Sequence, residues 1–230
     1  MDAVSPAPRF APRVRTLVWV GIVLLVAGAG IGAFVFFFRE NGPFTVDAWW
    51  MSLLAQSRGP VLLNLSYAMN WLGGGWFGIV IVPVGIAVIL LVMKKPWAAA
   101  YFIAAEIVSA GLVQVLKQGF GRARPEDIVV ISDFGSFPSG HVSNAATMAV
   151  ALWVIFPGAW VAIVGAAWTL LMAFSRTYLG AHWLSDTAGG ALVGAASALL
   201  VAAVFARLLA RDHAAHVARD HSVREVDAAP

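Results

Sequence analysis

Phe137-Pro138-Ser139-Gly140-His141 stands between two long apolar segments, and its reading decides how the rest of the chain is understood. Pro138 and Gly140 bend the backbone, and a long apolar run begins directly after them, so a helix is expected to start here with Ser139 at its N-cap. A helix start leaves backbone N–H groups free, and these bind anions, phosphate in particular. A histidine at such a corner can exchange a proton with whatever is bound.

Outward from this corner the chain is too apolar for a soluble domain. Of its 230 residues, 60% are hydrophobic and only 12% charged, against about 25% charged in soluble domains. The expected fold is therefore all-α: a polytopic membrane protein with six transmembrane helices in a bundle and short interfacial helices in the first outer loop. There is no cysteine, which excludes disulfides and thiolate metal sites. The net charge of +3 is expected to reflect loop lysines and arginines, with the membrane as partner and no nucleic acid. No obligate protein partner is inferred.

The spans are expected over 17–38, 76–93, 97–116, 139–156, 159–174 and 186–209. Pro83 should kink the second, and Gly190 and Gly194 suit close packing of the last. Between the first two, 44–54 has a helical alternation with Trp49 and Trp50 at headgroup depth, and Gly59-Pro60 breaks it. The segment 61–72 reads as a second interfacial helix or as the start of the next span, ended by Gly73-Gly74-Gly75. The domain plan is a disordered cytoplasmic arm over 1–16, a membrane domain over 17–209, and a charged cytoplasmic tail over 210–230, itself expected to be disordered. His213, His216 and His221 in that tail read as solvated.

Six spans put both termini on one side, together with Arg9, Arg13, Arg15, Lys94, Lys95, Arg207 and Arg211; by the positive-inside rule that side is cytoplasmic. The loops 118–138 and 175–185 then share the outer face, where they can meet. They bring together Lys117 with Arg124-Pro125, the 138–141 corner, and Ser175-Arg176 with His182 and Asp186. Three cations and a helix start make a site for a multiply charged anion, and arginine forks fit tetrahedral phosphate oxygens. Two histidines suit a displacement in which one attacks and the other protonates the leaving oxygen. Asp186 lies four residues after His182, on the same helical face. There it can hold one imidazole nitrogen and leave the other free.

In order and spacing, Lys117-x6-Arg124-Pro125, Pro138-Ser139-Gly140-His141 and Ser175-Arg176-x5-His182-x3-Asp186 resemble the three-part signature of the type-2 phosphatidic acid phosphatase superfamily. Leu184 stands where many members carry proline. The resemblance implies a membrane lipid phosphatase. His182 would be the nucleophile that forms a phosphohistidine, Asp186 its orienting acid, and His141 the general acid and then the base for water. Lys117, Arg124 and Arg176, with the Ser139 hydroxyl and the Gly140 N–H, would bind the phosphoryl oxygens of a lipid phosphate. It implies no cofactor and no metal. Undecaprenyl diphosphate and phosphatidic acid or phosphatidylglycerol phosphate are the leading substrates. A phosphotransferase using the same intermediate, or a non-catalytic lipid carrier or flippase on the same frame, are the rivals. The site is expected in the cell (inner) membrane, at its outer face.

Two residues fit no defining position. Arg122 reads as a solvated loop charge or as a contact to a second phosphate, which would lean the substrate toward a diphosphate. Glu106 lies mid-span, eleven residues before Lys117 and about three turns away, hence on nearly the same face. It is expected to point into the bundle below the site, as an accessory group or as one partner of a hydrogen bond between helices.

Overall fold

A computed structural model describes residues 14–227, with side chains described over 14–215, so most of the expected N-terminal arm lies outside the described residues. All the regular structure among them is helical: α1 (Val14–Phe38), α2 (Thr45–Gln56), α3 (Pro60–Gly73), a π-helical turn (Phe77–Ile81) running into α4 (Val82–Val92), α5 (Pro96–Phe120), α6 (Gly140–Ile155), α7 (Ala159–Tyr178) and α8 (Leu184–Asp227).

Four of these helices, α1, α5, α7 and α8, are long and apolar enough to cross a membrane. The pair Pro60–Gly73 and Phe77–Val92, bent by 51° at the glycine break, makes a fifth if it counts as one broken span. α3 joins the next helix through Gly73-Gly74-Gly75, where Gly75 takes a left-handed φ of +56° that glycine tolerates at little cost. The apolar α6 has 16 residues, about 24 Å of helix.

α8 is the central element, packed against α1, α5 and α6. Glycines allow this closeness. A Cβ on Gly190 would lie 2.5 Å from the Ser139 carbonyl oxygen, and one on Gly194 would run into the Ser143 backbone. The last span is expected to end at Leu209, but α8 continues to Asp227. The tail offers no proline or glycine to stop it, and its Ala, Arg and Glu are good helix formers. Asp212 in this extension accepts from the backbone N–H of Ala98 at 2.8 Å and so caps the start of α5.

Phe137 anchors the 137–141 corner. Its ring is fully buried and meets Phe120 edge-on at 5.8 Å. A Cβ on either Gly32 or Gly189 would fall 2.5 Å from it. The corner is thus wedged between α1, the end of α5 and the start of α8. At the same end, α2 and α3 are tied to the end of α7. Trp50 donates to Thr177 at 3.0 Å, the Gly59 N–H donates to the Tyr178 hydroxyl at 2.8 Å, and Arg58 donates to the Tyr178 carbonyl at 3.3 Å.

Candidate active site

The end of α5, the start of α6, the end of α7 and the start of α8 meet at one end of the bundle, and each delivers part of the expected cluster. Lys117, Gly140, His141, Arg176 and His182 line one cavity of about 410 Å³. Glu106 lines it too, deeper along α5; its Oε1 is buried without a hydrogen-bond partner among the described residues.

His182 is 2% exposed. Its Nδ1 lies 2.7 Å from the Ser136 carbonyl oxygen. A carbonyl only accepts, so Nδ1 carries the proton and Nε2 presents its lone pair. Arg124 stands 3.3 Å from that Nε2. Burial first, then the charges of Arg176, Arg124 and Lys117, push the His182 pKa well below its ordinary value, while the Ser136 carbonyl opposes them. The imidazole is therefore neutral at neutral pH, the state a nucleophile needs. His141 is less buried, and its Nε2 lies 3.1 Å from the Asn70 carbonyl oxygen.

Lys117 and Arg124 share one carboxylate. Asp133 lies 3.2 Å from the Lys117 Nζ and 2.8 Å from an Arg124 nitrogen. Burial raises the Asp133 pKa, but Lys117 and Arg124 outweigh it and hold the group below the usual carboxylate range. Asp133 is thus an acid from the chain itself resting on two of the three cations. Arg176 is bound to the Asn70 side-chain oxygen. The Arg176 Nε and the Ser139 hydroxyl are among the buried donors that have no partner among the described residues, as are the Ser132 hydroxyl in the same cavity and the Arg122 Nε. Ser139 does occupy the N-cap position of α6, but its hydroxyl makes no capping bond.

Asp186 is fully buried, yet its nearest carboxylate oxygen is 3.7 Å from the His182 Nδ1, too far for a hydrogen bond. The Ser136 carbonyl, not Asp186, holds the ring. Its own bonds go to the Trp183 N–H at 2.8 Å and to Arg122 at 2.5 Å. Arg122 is neither solvated nor aimed at the cavity, which corrects both expectations for it. Its side chain is 0% exposed and also pairs with Asp47 at 2.9 Å. Sequence reasoning missed Asp47, Asn70 and Ser136. Asp47 had one visible signal: it is an acid in the first turn of a short amphipathic helix, and it bonds the Phe44 N–H at 3.1 Å. Among the described residues no three His, Cys, Asp or Glu side chains converge as a metal site.

Residues 97–210 match the PAP2 superfamily. The chain is 34% identical over 109 residues to the lipid A 1-phosphatase of Rhizobium etli, covering 43% of this chain and 46% of that protein. It is 41% identical over 59 residues to an undecaprenyl-diphosphatase of Sulfolobus acidocaldarius, covering 26% and 28%. The chain thus spans less than half the length of the curated relatives it matches first. Among solved structures, its fold resembles a transmembrane PAP2-type phosphatidylglycerolphosphate phosphatase of Bacillus subtilis. The TM-score is 0.70 at 24% identity, over 80% of this chain and 94% of that one.

Proposed function

We propose, from the match of residues 97–210 to the PAP2 superfamily, that the chain is an integral membrane phosphatase that removes phosphate from lipid headgroups through a phosphohistidine on His182. The observation that carries the proposal is the neutral His182, whose Nε2 lone pair faces Arg124 in a pocket shared with Lys117, Arg176 and His141. In the reaction, Nε2 forms a bond to phosphorus as the bond from phosphorus to the lipid oxygen breaks. Protonated His141 gives its proton to that oxygen. Neutral His141 then takes a proton from a water whose oxygen attacks phosphorus, the P–N bond breaks, and phosphate leaves. Lys117, Arg124 and Arg176 hold the phosphoryl oxygens, with the Ser139 hydroxyl and the Gly140 N–H, and stabilise the added charge in the transition state. Asp133 must release Lys117 and Arg124 when substrate arrives.

Six passes, with both termini cytoplasmic and the site at the outer face, complete the reading. The short α6 is one of the six and the bent pair α3–α4 another. The gathering of the catalytic groups at one end of the bundle and of Lys94, Lys95, Arg207 and Arg211 toward the other supports that orientation. The substrates to try are polyprenyl diphosphates, phosphatidic acid, phosphatidylglycerol phosphate and phosphorylated lipid A. The test is phosphate release from this panel by the purified full chain with chelator present. Release from at least one lipid, inhibited by vanadate, is expected. No release from any of them overturns the proposal, and product analysis with an added alcohol separates hydrolysis from phosphotransfer.

A further inference from the structure

Asp47 lies on α2, fifty residues before the stretch that matches the family. No residue of the three signature segments predicts it, and yet it is 0% exposed and engaged on every side. One carboxylate oxygen accepts from the backbone N–H of Ser185 at 2.8 Å. The other accepts from the Ser185 hydroxyl at 2.7 Å, from the Phe44 N–H at 3.1 Å and from Arg122 at 2.9 Å. Arg122 continues the chain of contacts to Ser185 at 2.8 Å and to Asp186 at 2.5 Å. Asp47 therefore caps two helices, its own and α8, and through one guanidinium it reaches the acid that stands behind the catalytic histidine.

The charge count gives this arrangement a purpose. An Asp186 paired with Arg122 alone would form a neutral couple and offer little to a histidine that gains positive charge as its Nε2 bonds to phosphorus. With Asp47 on the other side of the same guanidinium, two carboxylates share one cation, and with both ionised the group is net negative. The side chains of all three are shut off from solvent, so this charge is weakly screened. It opposes the cations that face His182 from elsewhere: Lys117 of α5, Arg124 of the following loop and Arg176 of α7. His141 of α6 and Asp133 of that loop complete the set of titratable groups around it.

We propose that Asp47 is a positioning residue of the phosphatase site. Through Arg122 it fixes Asp186 in place and keeps the acidic group behind His182 net negative, which stabilises the phosphorylated histidine and the transition state leading to it. The inference rests on the phosphatase reading for its kinetic consequences, but not for its electrostatic one.

The test compares the full chain with its Asp47→Asn and Asp47→Glu variants in detergent. Asp47→Asn is expected to lower kcat by about tenfold to a hundredfold, the usual effect of losing a group that supports a catalytic one, with KM changed less than about twofold. It should also move the acid limb of kcat/KM to lower pH by about half a unit or more, because a lost negative charge disfavours protonated His182. Asp47→Glu keeps the charge and should leave the acid limb where it is while restoring part of kcat. A purely structural role would change stability and leave the limb in place in both. If Asp47→Asn does not fold, the size-matched pair Asp47→Gln and Asp47→Glu makes the same comparison of charge.

Histidine 15N NMR titration, with the His182 signal assigned by its loss in His182→Gln, reads the same shift without turnover. Failure of the phosphatase reading, with no lipid hydrolysed, thus remains distinct from failure of this inference. A His182 titration and an acid limb that do not differ between the charged and uncharged residues at position 47 would overturn it.

Discussion

The two halves of the chain contribute differently to one site. Residues 97–210 hold every charged or nucleophilic group that the proposed chemistry touches: Lys117, Arg124, His141, Arg176, His182 and Asp186. Residues 14–92 touch none of the chemistry directly but hold those groups still. Asp47 anchors Arg122, and Asn70 bonds both Arg176 and His141 from the last turn of α3. The Gly73-Gly74 turn lies so close to His141 that a Cβ on Gly74 would collide with its ring. The difference teaches that a reactive constellation can be recognised in one segment while its rigidity comes from another, through contacts 75 and 106 residues apart in sequence for Arg122–Asp47 and Arg176–Asn70.

Substitutions in each half sharpen that division. The largest effect is expected for Arg122→Met. It leaves Asp47 and Asp186 as buried carboxylates without their cation, which costs about 3–5 kcal/mol, so the thermal midpoint in detergent should fall sharply and activity with it. A variant as stable as the parent would break the account of Arg122. Next is Asn70→Ala, from the half outside the family match. Freed of Asn70, Arg176 loses its fixed direction, and kcat/KM is expected to drop about tenfold, near the lower end of effects for groups that hold catalytic ones. Unchanged kinetics would confine the site to the matched half.

A smaller effect, of opposite sign, is expected for Asp133→Asn. The substitution removes a carboxylate that competes for Lys117 and Arg124, so vanadate should inhibit at about twofold to fivefold lower concentration, roughly the 0.4–1 kcal/mol of a partly exposed ion pair. Weaker inhibition would mean that Asp133 orients the two cations rather than occupying them. The pH profile is the mildest probe. Because the His182 pKa is depressed, and attack is lost only as His182 becomes protonated, kcat/KM should hold as pH falls through 6.5 and decline only below it. An acid limb at or above 6.5 would contradict the neutral, buried histidine.

The legible parts of the molecule are those where chemistry is local in sequence. Apolar run lengths marked the helices, and the glycine triplet marked the break that the structure shows as a 51° bend. The signature spacing marked Lys117, Gly140, His141, Arg176 and His182, which line the cavity, while Arg124, Ser139 and Asp186 stand outside its lining. What stayed hidden depends on contacts between distant segments. Arg122 looks like any loop arginine until α2 brings Asp47 to it. Ser136 could not be read as the group that holds His182, because it acts through its backbone carbonyl, and every residue has one. The continuation of α8 to Asp227 was obscured by the charge of the tail, although the residues there favour helix and none stops it.

The most direct test of the central claim is to look for the phosphoryl group on His182. In His141→Asn, a lipid phosphate with a good leaving group no longer needs the acid in the first step, while hydrolysis still lacks its base. The intermediate should therefore accumulate. After alkaline quenching, peptide mass analysis is expected to find phosphate on His182, and His182→Ala should show neither the adduct nor turnover. Turnover that persists in His182→Ala, with no phosphate found on His182 in the His141→Asn protein, would contradict the account.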